Sequence, residues 1–263
     1  MEHHDVNAYT GFAEVYDLFM DNVPYDDWCR YLVRLLRDSG IRDGLVLDLG
    51  CGTGNITERL AKAGYDMIGV DASEDMLSCA LKKRDSSGSD ILYLQQDMRS
   101  FELYGTVRAV VSLCDSMNYI LDYGDLVKVF RLVNNYLDPG GRLIFDLRTE
   151  ADYAAIGERT IAEDREESSF IWDNDYDPET RENAYELALF IRESGDRYRK
   201  FTETHVQKAW RPEEIRRALA EAGLREIAMY DAFTRDPVRK DSGRIYVIAE
   251  EQGKERKSDG KTE

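Results

Sequence analysis

Apolar positions recur with two different periods along the chain. In residues 8–38, Phe12, Val15, Tyr16 and Phe19 stand at helical spacing, the pattern breaks at Asn22 to Pro24, and a second stripe runs through Trp28, Leu32, Leu35 and Leu36. This predicts helices ahead of the first strand. Residues 45–49 are a short apolar run that ends in glycines, and helical spacing resumes at Ile56, Leu60 and Ala63, the signature of strand, loop and helix. A second strand is predicted at 67–70, followed by a helix over 73–83 whose first turn carries Glu74 and Asp75, acids that favour a helix N-terminus. A serine- and glycine-rich segment, 85–90, predicts a loop into a third strand at 91–95. A fourth strand at 107–113, a helix at 123–137 and a Pro139-Gly140-Gly141 turn into a fifth strand at 142–146 complete the series. Strands alternating with helices predict a doubly wound α/β parallel sheet covered on both faces.

The rhythm changes after Asp146. Residues 170–172, 184–192 and 198–209 read as strands joined by the turn-rich stretches 173–180 and 193–196, an inserted small antiparallel β-sheet. Pro212 opens a helix that runs to 222 with Gly223 near its end, and two strands follow at 225–230 and 244–249. The division expected is N-terminal helices over 1–40 capping a ligand site, a core made of 41–150 and 211–250, the insert at 151–210 and a disordered polar tail at 251–263.

Charge narrows the partners. Thirty-five Lys and Arg against 52 Asp and Glu give a net charge of −17, a field that repels phosphate backbones and makes nucleic acid an unfavourable partner. No apolar run approaches the ~20 residues of a membrane span, and the N-terminus lacks a basic-then-apolar layout, so a cytoplasmic location is expected. Cys29, Cys51, Cys79 and Cys114 are far apart and form no Cys-x-x-Cys pair, and His3 and His4 lack partners, so no metal site is expected.

The chemistry begins at Asp48-Leu49-Gly50-Cys51-Gly52-Thr53-Gly54, where a strand feeds a helix through residues that let backbone amides approach a ligand. Dinucleotide sites use G-x-G-x-x-G, whereas here the third glycine comes one residue early and Asn55 takes its place. Asp48 would sit badly beside a diphosphate and well beside an ammonium group. Asp71 follows about 20 residues on, where a carboxylate accepts from a ribose diol, and Asp97-Met98 end the third strand where an adenine amine and ring nitrogen can be read. Together these describe an adenosine with an amino-acid arm.

Through Val46-Leu47-Asp48-Leu49-Gly50-Cys51-Gly52-Thr53-Gly54-Asn55, Gly69-Val70-Asp71-Ala72-Ser73 and Gln95-Gln96-Asp97-Met98, the chain resembles the class I S-adenosylmethionine-dependent methyltransferases, in a small-molecule branch with an antiparallel lid insert. The resemblance implies a Rossmann-like seven-stranded sheet with its last strand antiparallel, S-adenosyl-L-methionine as cofactor and S-adenosyl-L-homocysteine as product. It assigns the cofactor to Tyr16, Asp48, Gly50, Cys51, Gly52, Asp71, Ala72, Met76, Gln96, Asp97, Met98 and Leu113. Met76 at helical spacing from Leu77 and Ala80 is equally readable as core.

The methyl acceptor should lie beyond the fourth strand, at Cys114-Asp115-Ser116-Met117-Asn118-Tyr119, where open α/β sheets bind ligands. The Asn-Pro-Pro-Tyr or Asp-Pro-Pro-Tyr tetrapeptide of several base and glutamine methyltransferases is absent there, which favours a small-molecule acceptor, methylated on N or O. Tyr16 and Asp115 are candidate helpers. The last insert strand alternates, with Phe201, Glu203, His205 and Gln207 on one face, so that if this face meets the pocket His205 becomes the leading general base. An RNA methyltransferase, a non-catalytic S-adenosylmethionine-binding protein and an NAD-dependent oxidoreductase are the competing readings, and the pattern leaves monomer or homodimer open.

Overall fold

The computed structural model describes residues 13, 16, 17, 20 and 23–254. Expectations for His3, His4, Tyr9, Phe12, Val15, Phe19 and the tail beyond 254 lie outside the described residues.

Seven strands form the main sheet: β1 (Leu45–Leu49), β2 (Asp66–Asp71), β3 (Ile91–Gln95), β4 (Val107–Ser112), β5 (Leu137–Arg148), β10 (Leu224–Asp231) and β11 (Arg244–Glu251). Their order is β10-β11-β5-β4-β1-β2-β3. β1 pairs parallel with both β2 and β4, and β11 lies antiparallel to both neighbours, as expected for the last strand. Helices α1 (Tyr25–Asp38), α2 (Asn55–Lys62), α3 (Glu74–Ser87), α4 (Tyr123–Tyr136), α5 (Glu150–Ile156) and α6 (Pro212–Glu221) join these strands.

Alternation along β1 sends successive side chains to opposite layers. Val46 packs with Leu32, Leu36 and Leu60 of α1 and α2, whereas Leu47 and Leu49 pack with Phe130 and Leu219 of α4 and α6. The chain reverses direction across the sheet between β1 and β4, so their carboxyl ends border an open crevice.

The insert is a separate four-stranded antiparallel sheet, β6 (Arg159–Asp164), β7 (Ser168–Asp177), β8 (Glu182–Ser194) and β9 (Arg197–Lys208), in sequence order. Its apolar centre is small, with Leu187 and Leu189 buried between Phe170, Trp172, Ile191 and Phe201. The apolar pattern predicts three strands here; the fourth, β6, is an exposed edge whose alternation is too polar to register. The predicted 85–90 loop also starts later than expected. α3 continues through Ser86 and Ser87 and stops at Gly88, whose φ of +68° supplies the left-handed cap while its N–H donates to the Arg84 carbonyl. Helix α5 has no counterpart in the pattern reading.

Candidate functional site

A cleft of about 690 Å³ opens at the carboxyl ends of β1, β2 and β4 and is closed on its far side by β9. The glycine loop forms its near wall. Gly50 has φ +79°, and a Cβ there would meet Ser116 at 2.8 Å, so this position requires glycine on both counts. Gly52, at φ +54°, has nothing within 4 Å of where a Cβ would stand, so it lines the cleft without a side chain. The amides of Gly50 and Cys51 both donate to the Val70 carbonyl, fixing the loop against β2.

Three acids stand at the strand ends. Asp48 is almost fully buried and accepts from the Thr57 hydroxyl at 2.6 Å. Burial pushes its carboxyl up to about 7; the Thr57 hydroxyl opposes the rise and Asp71 adds to it. Among the described residues no cation pairs with it. Asp71 accepts from the Gly52 N–H at 2.8 Å and the Ser73 N–H at 2.9 Å, so the sequence-predicted ribose acceptor also clamps the loop. Its carboxyl is raised by burial, against those backbone donors. A carboxylate offers about four acceptor positions, so both duties are compatible. Asp97 is forked by the Arg99 guanidinium, with Nε 2.9 Å from Oδ1, which holds its carboxyl low against burial. The carboxylate expected to read the adenine is thus also held by an arginine, Arg99, which lines the same cleft. Ala72, Met76, Gln96, Met98 and Leu113 also line the cleft, and Met76 is both buried and part of this wall. Cys51 lines it with a thiol that burial pushes well above its ordinary value.

Asn55, the residue that breaks the dinucleotide spacing, has a structural task. Its amide and the Thr53 hydroxyl each donate to Asp17 at 2.8 Å, and the Lys83 ammonium stands 2.6 Å from the same carboxylate. Asp17 is thereby fixed to the loop, and the adjacent Tyr16 lines the cleft beside Tyr25.

At the end of β4, Cys114 and Asp115 both adopt left-handed backbone, φ +58° and +57°, before a 3₁₀ turn at Ser116–Tyr119. Asp115, an expected helper, is engaged at this corner by charged partners. Its carboxylate takes the Arg244 guanidinium at 2.7 Å and the Gln207 amide at 3.1 Å, and its N–H donates to Asp146 at 2.9 Å. Arg244 also pairs with Asp146. Asp115 belongs to this charge cluster, because oppositely charged groups brought together with little solvent satisfy one another.

The glycine loop at the cleft and a buried acid with no cationic partner among the described residues fit an adenosine with an amino-acid arm. The methyltransferase-domain family model matches residues 46–141. YqeM of Bacillus subtilis (strain 168), provisionally designated a methyltransferase, is 36% identical over 92% of this chain and 96% of its own length. The chain belongs to the class I S-adenosylmethionine-dependent methyltransferases. An S-adenosylmethionine-dependent methyltransferase from Clostridium acetobutylicum ATCC 824 superposes on this methyltransferase with a TM-score of 0.83 at 30% identity, over 93% of this chain and 99% of that one. A dTDP-3-amino-3,4,6-trideoxy-alpha-D-glucopyranose N,N-dimethyltransferase of Streptomyces venezuelae is 28% identical over 81% of this chain and 90% of its own length. S-Adenosylmethionine is accordingly the cofactor of this methyltransferase.

The far wall of the methyltransferase cleft comes from the insert. Glu203, His205 and Gln207 are buried along β9, and Thr202 to Val206 border the cavity. Tyr119 Oη lies 2.8 Å from Tyr185 Oη and 3.3 Å from His205 Nδ1, while His205 Nε2 lies 3.3 Å from Glu203. His205 therefore reaches the cavity wall, although its side chain has no exposed surface. Alternation on β9 gave the correct shared face for Glu203, His205 and Gln207. Nothing local in the sequence signals that Tyr119 and Tyr185 meet His205, since Tyr119 is 86 residues away.

Among the described residues no group of three His, Cys, Asp or Glu is placed to hold a metal ion, and no helix is long and apolar enough to cross a membrane.

Proposed function

We propose that this methyltransferase acts on a nitrogen of a small molecule carrying an amine. The observation that carries the reading is the β9 wall, which sets a buried carboxylate, Glu203, and an imidazole, His205, opposite the glycine loop in one cavity. A carboxylate there favours a cationic or amine-bearing acceptor by charge. The likeness to an N,N-dimethyltransferase of an amino sugar supports this class. The net charge of −17 disfavours a nucleic-acid acceptor.

In this reading Asp48 receives the ammonium of the cofactor's amino-acid end, Gly50, Cys51 and Gly52 present backbone to it, and Asp71 accepts from the ribose hydroxyls. Ala72, Met76, Gln96, Asp97, Met98 and Leu113 surround the adenine, and Tyr16 lies near the reacting centre. Residues 1–40 cap the cofactor, and the 151–210 insert acts as the lid that chooses the acceptor. When bound, S-adenosylmethionine supplies an electrophilic methyl group, and the protein's contribution is mainly alignment of that group with the acceptor's lone pair.

The test pairs binding with turnover. Calorimetry with Asp71→Ala should show S-adenosylmethionine affinity falling by tenfold or more, roughly the effect of losing a charged hydrogen-bond acceptor. Release of S-adenosylhomocysteine from a panel of amines and hydroxyl compounds should favour amines. Unchanged affinity would defeat the cofactor assignment, and turnover confined to hydroxyl compounds would defeat the acceptor class.

A further inference from the structure

His205 is the acid-base side chain that the β9 alternation sends toward the cavity, yet its ring cannot meet an acceptor directly. Its side chain has no exposed surface, and both nitrogens are engaged, Nδ1 toward Tyr119 Oη and Nε2 toward Glu203, each at 3.3 Å. Tyr185 stacks on the ring with centroids 4.7 Å apart and planes inclined by 15°, covering one face. Tyr119, by contrast, is half-buried and lines the cleft. Tyr119, a cleft-lining residue, thus brings its hydroxyl against the imidazole, and the Tyr185 hydroxyl at 2.8 Å fixes its position.

We propose that Tyr119 is the catalytic group that meets the acceptor nitrogen, and that His205 and Glu203 are positioning residues that drain the proton away behind it. This rests on the amine reading of the acceptor. The proton balance is simple. In the proposed tautomer the N–H of His205 is on Nε2, directed at the Glu203 carboxylate, and the Nδ1 lone pair is offered to the Tyr119 hydroxyl. An arriving ammonium gives one proton to Tyr119 Oη as the hydroxyl's own proton passes to Nδ1. The acceptor is left as a neutral amine with its lone pair available, and an imidazolium is left beside the Glu203 carboxylate that neutralises it. No electron donor or further co-reactant is required. A phenol oxygen both donates and accepts, so it suits the transfer, and a carboxylate that fixes the imidazole tautomer from the far side is the arrangement that makes a histidine a directional proton acceptor.

The test has one arm that needs no acceptor. The full chain labelled with ¹⁵N-histidine should show His205, assigned by its loss in His205→Gln, with the proton on Nε2. Its Nδ1 resonance should move in Tyr119→Phe and its Nε2 resonance in Glu203→Gln. A proton on Nδ1, or resonances indifferent to both substitutions, would overturn the relay whatever the acceptor is. In the second arm, ethanolamine, glycine and glucosamine are the probes. With whichever turns over, Tyr119→Phe should lower kcat about 100-fold with KM within about twofold, and Glu203→Gln should lower kcat less than Glu203→Ala. An unchanged kcat in Tyr119→Phe would overturn the catalytic assignment. Wild-type turnover of hydroxyl compounds alone would instead defeat the amine reading while the tautomer result still judges the relay.

Discussion

Asp48 shows what a binding site does to a single acid. Its ordinary value is 3.8, and burial raises it to about 7 in the folded chain. The unfolded chain therefore ionises this group at lower pH than the folded one, and stability falls as pH rises. The loss begins near pH 4 and is complete above about pH 7, with a ceiling of about 4 kcal/mol from the size of the shift. Asp48→Asn should accordingly raise the Tm of the ligand-free protein at pH 8, where the wild type bears the buried charge. On the proposed cofactor placement the same substitution should weaken S-adenosylmethionine binding by tenfold or more, because the partner of its ammonium would be lost; a Tm unchanged at pH 8 would show that the carboxyl is not strained. Asp48 and Asp71 were legible in the sequence because each closes a short apolar strand, and strand ends are where this fold binds ligands. Arg99 was not, because an arginine two residues beyond Asp97 looks solvated, and Tyr119, though inside the expected acceptor segment, carries no local signal of its partners Tyr185 and His205.

At the scale of elements, the seam between the insert and the main sheet is polar and specific. Asn118 donates to the carbonyls of Arg148 and Lys208, Trp210 donates to the Ile120 carbonyl at 2.8 Å, and the Tyr153 hydroxyl donates to Gln207, which in turn donates to Asp115. Burial works against the charge of Asp115, yet Arg244 and Arg148 hold its carboxyl below the usual range; Asp146, desolvated and facing Asp115, is raised. Arg244 is the residue common to both. Arg244→Met should destabilise the protein by roughly 3–5 kcal/mol, the cost of stranding buried charge, and more at pH 8 than at pH 5. Urea unfolding at the two pH values measures this, and a loss below about 1 kcal/mol would mean the cluster is solvated. The left-handed backbone at Cys114 and Asp115 should relax in the same variant, since Asp146 and Arg244 are what hold that corner. Periodicity could not foresee this seam. Apolar spacing located β1 to β4 and β8 to β11, whose buried faces carry the signal, but only 142–146 of β5 and 170–172 of β7, which runs on to Asp177 through a stretch expected as a turn; β6 is an exposed edge and the seam is made of polar groups far apart in the chain.

At the scale of the whole molecule, the charge of −17 and the acidic wall at Glu203 act in the same direction on an acceptor. A net negative field raises the local concentration of cations and steers them toward a cleft, an effect that salt screens over a Debye length of about 10 Å at 0.1 M. For a protonated amine, kcat/KM should therefore fall several-fold between about 20 and about 300 mM salt, through association rather than chemistry, with kcat nearly constant. A neutral hydroxyl acceptor of the same size should show no such dependence. The contrast separates the long-range field from the local relay, because Tyr119→Phe should lower kcat and leave the salt slope intact, whereas neutralising surface acids remote from the cleft should flatten the slope and leave kcat alone. If amines show no salt dependence in kcat/KM, the acidic composition has no part in choosing the acceptor, and selection falls wholly to the cavity between the glycine loop and β9.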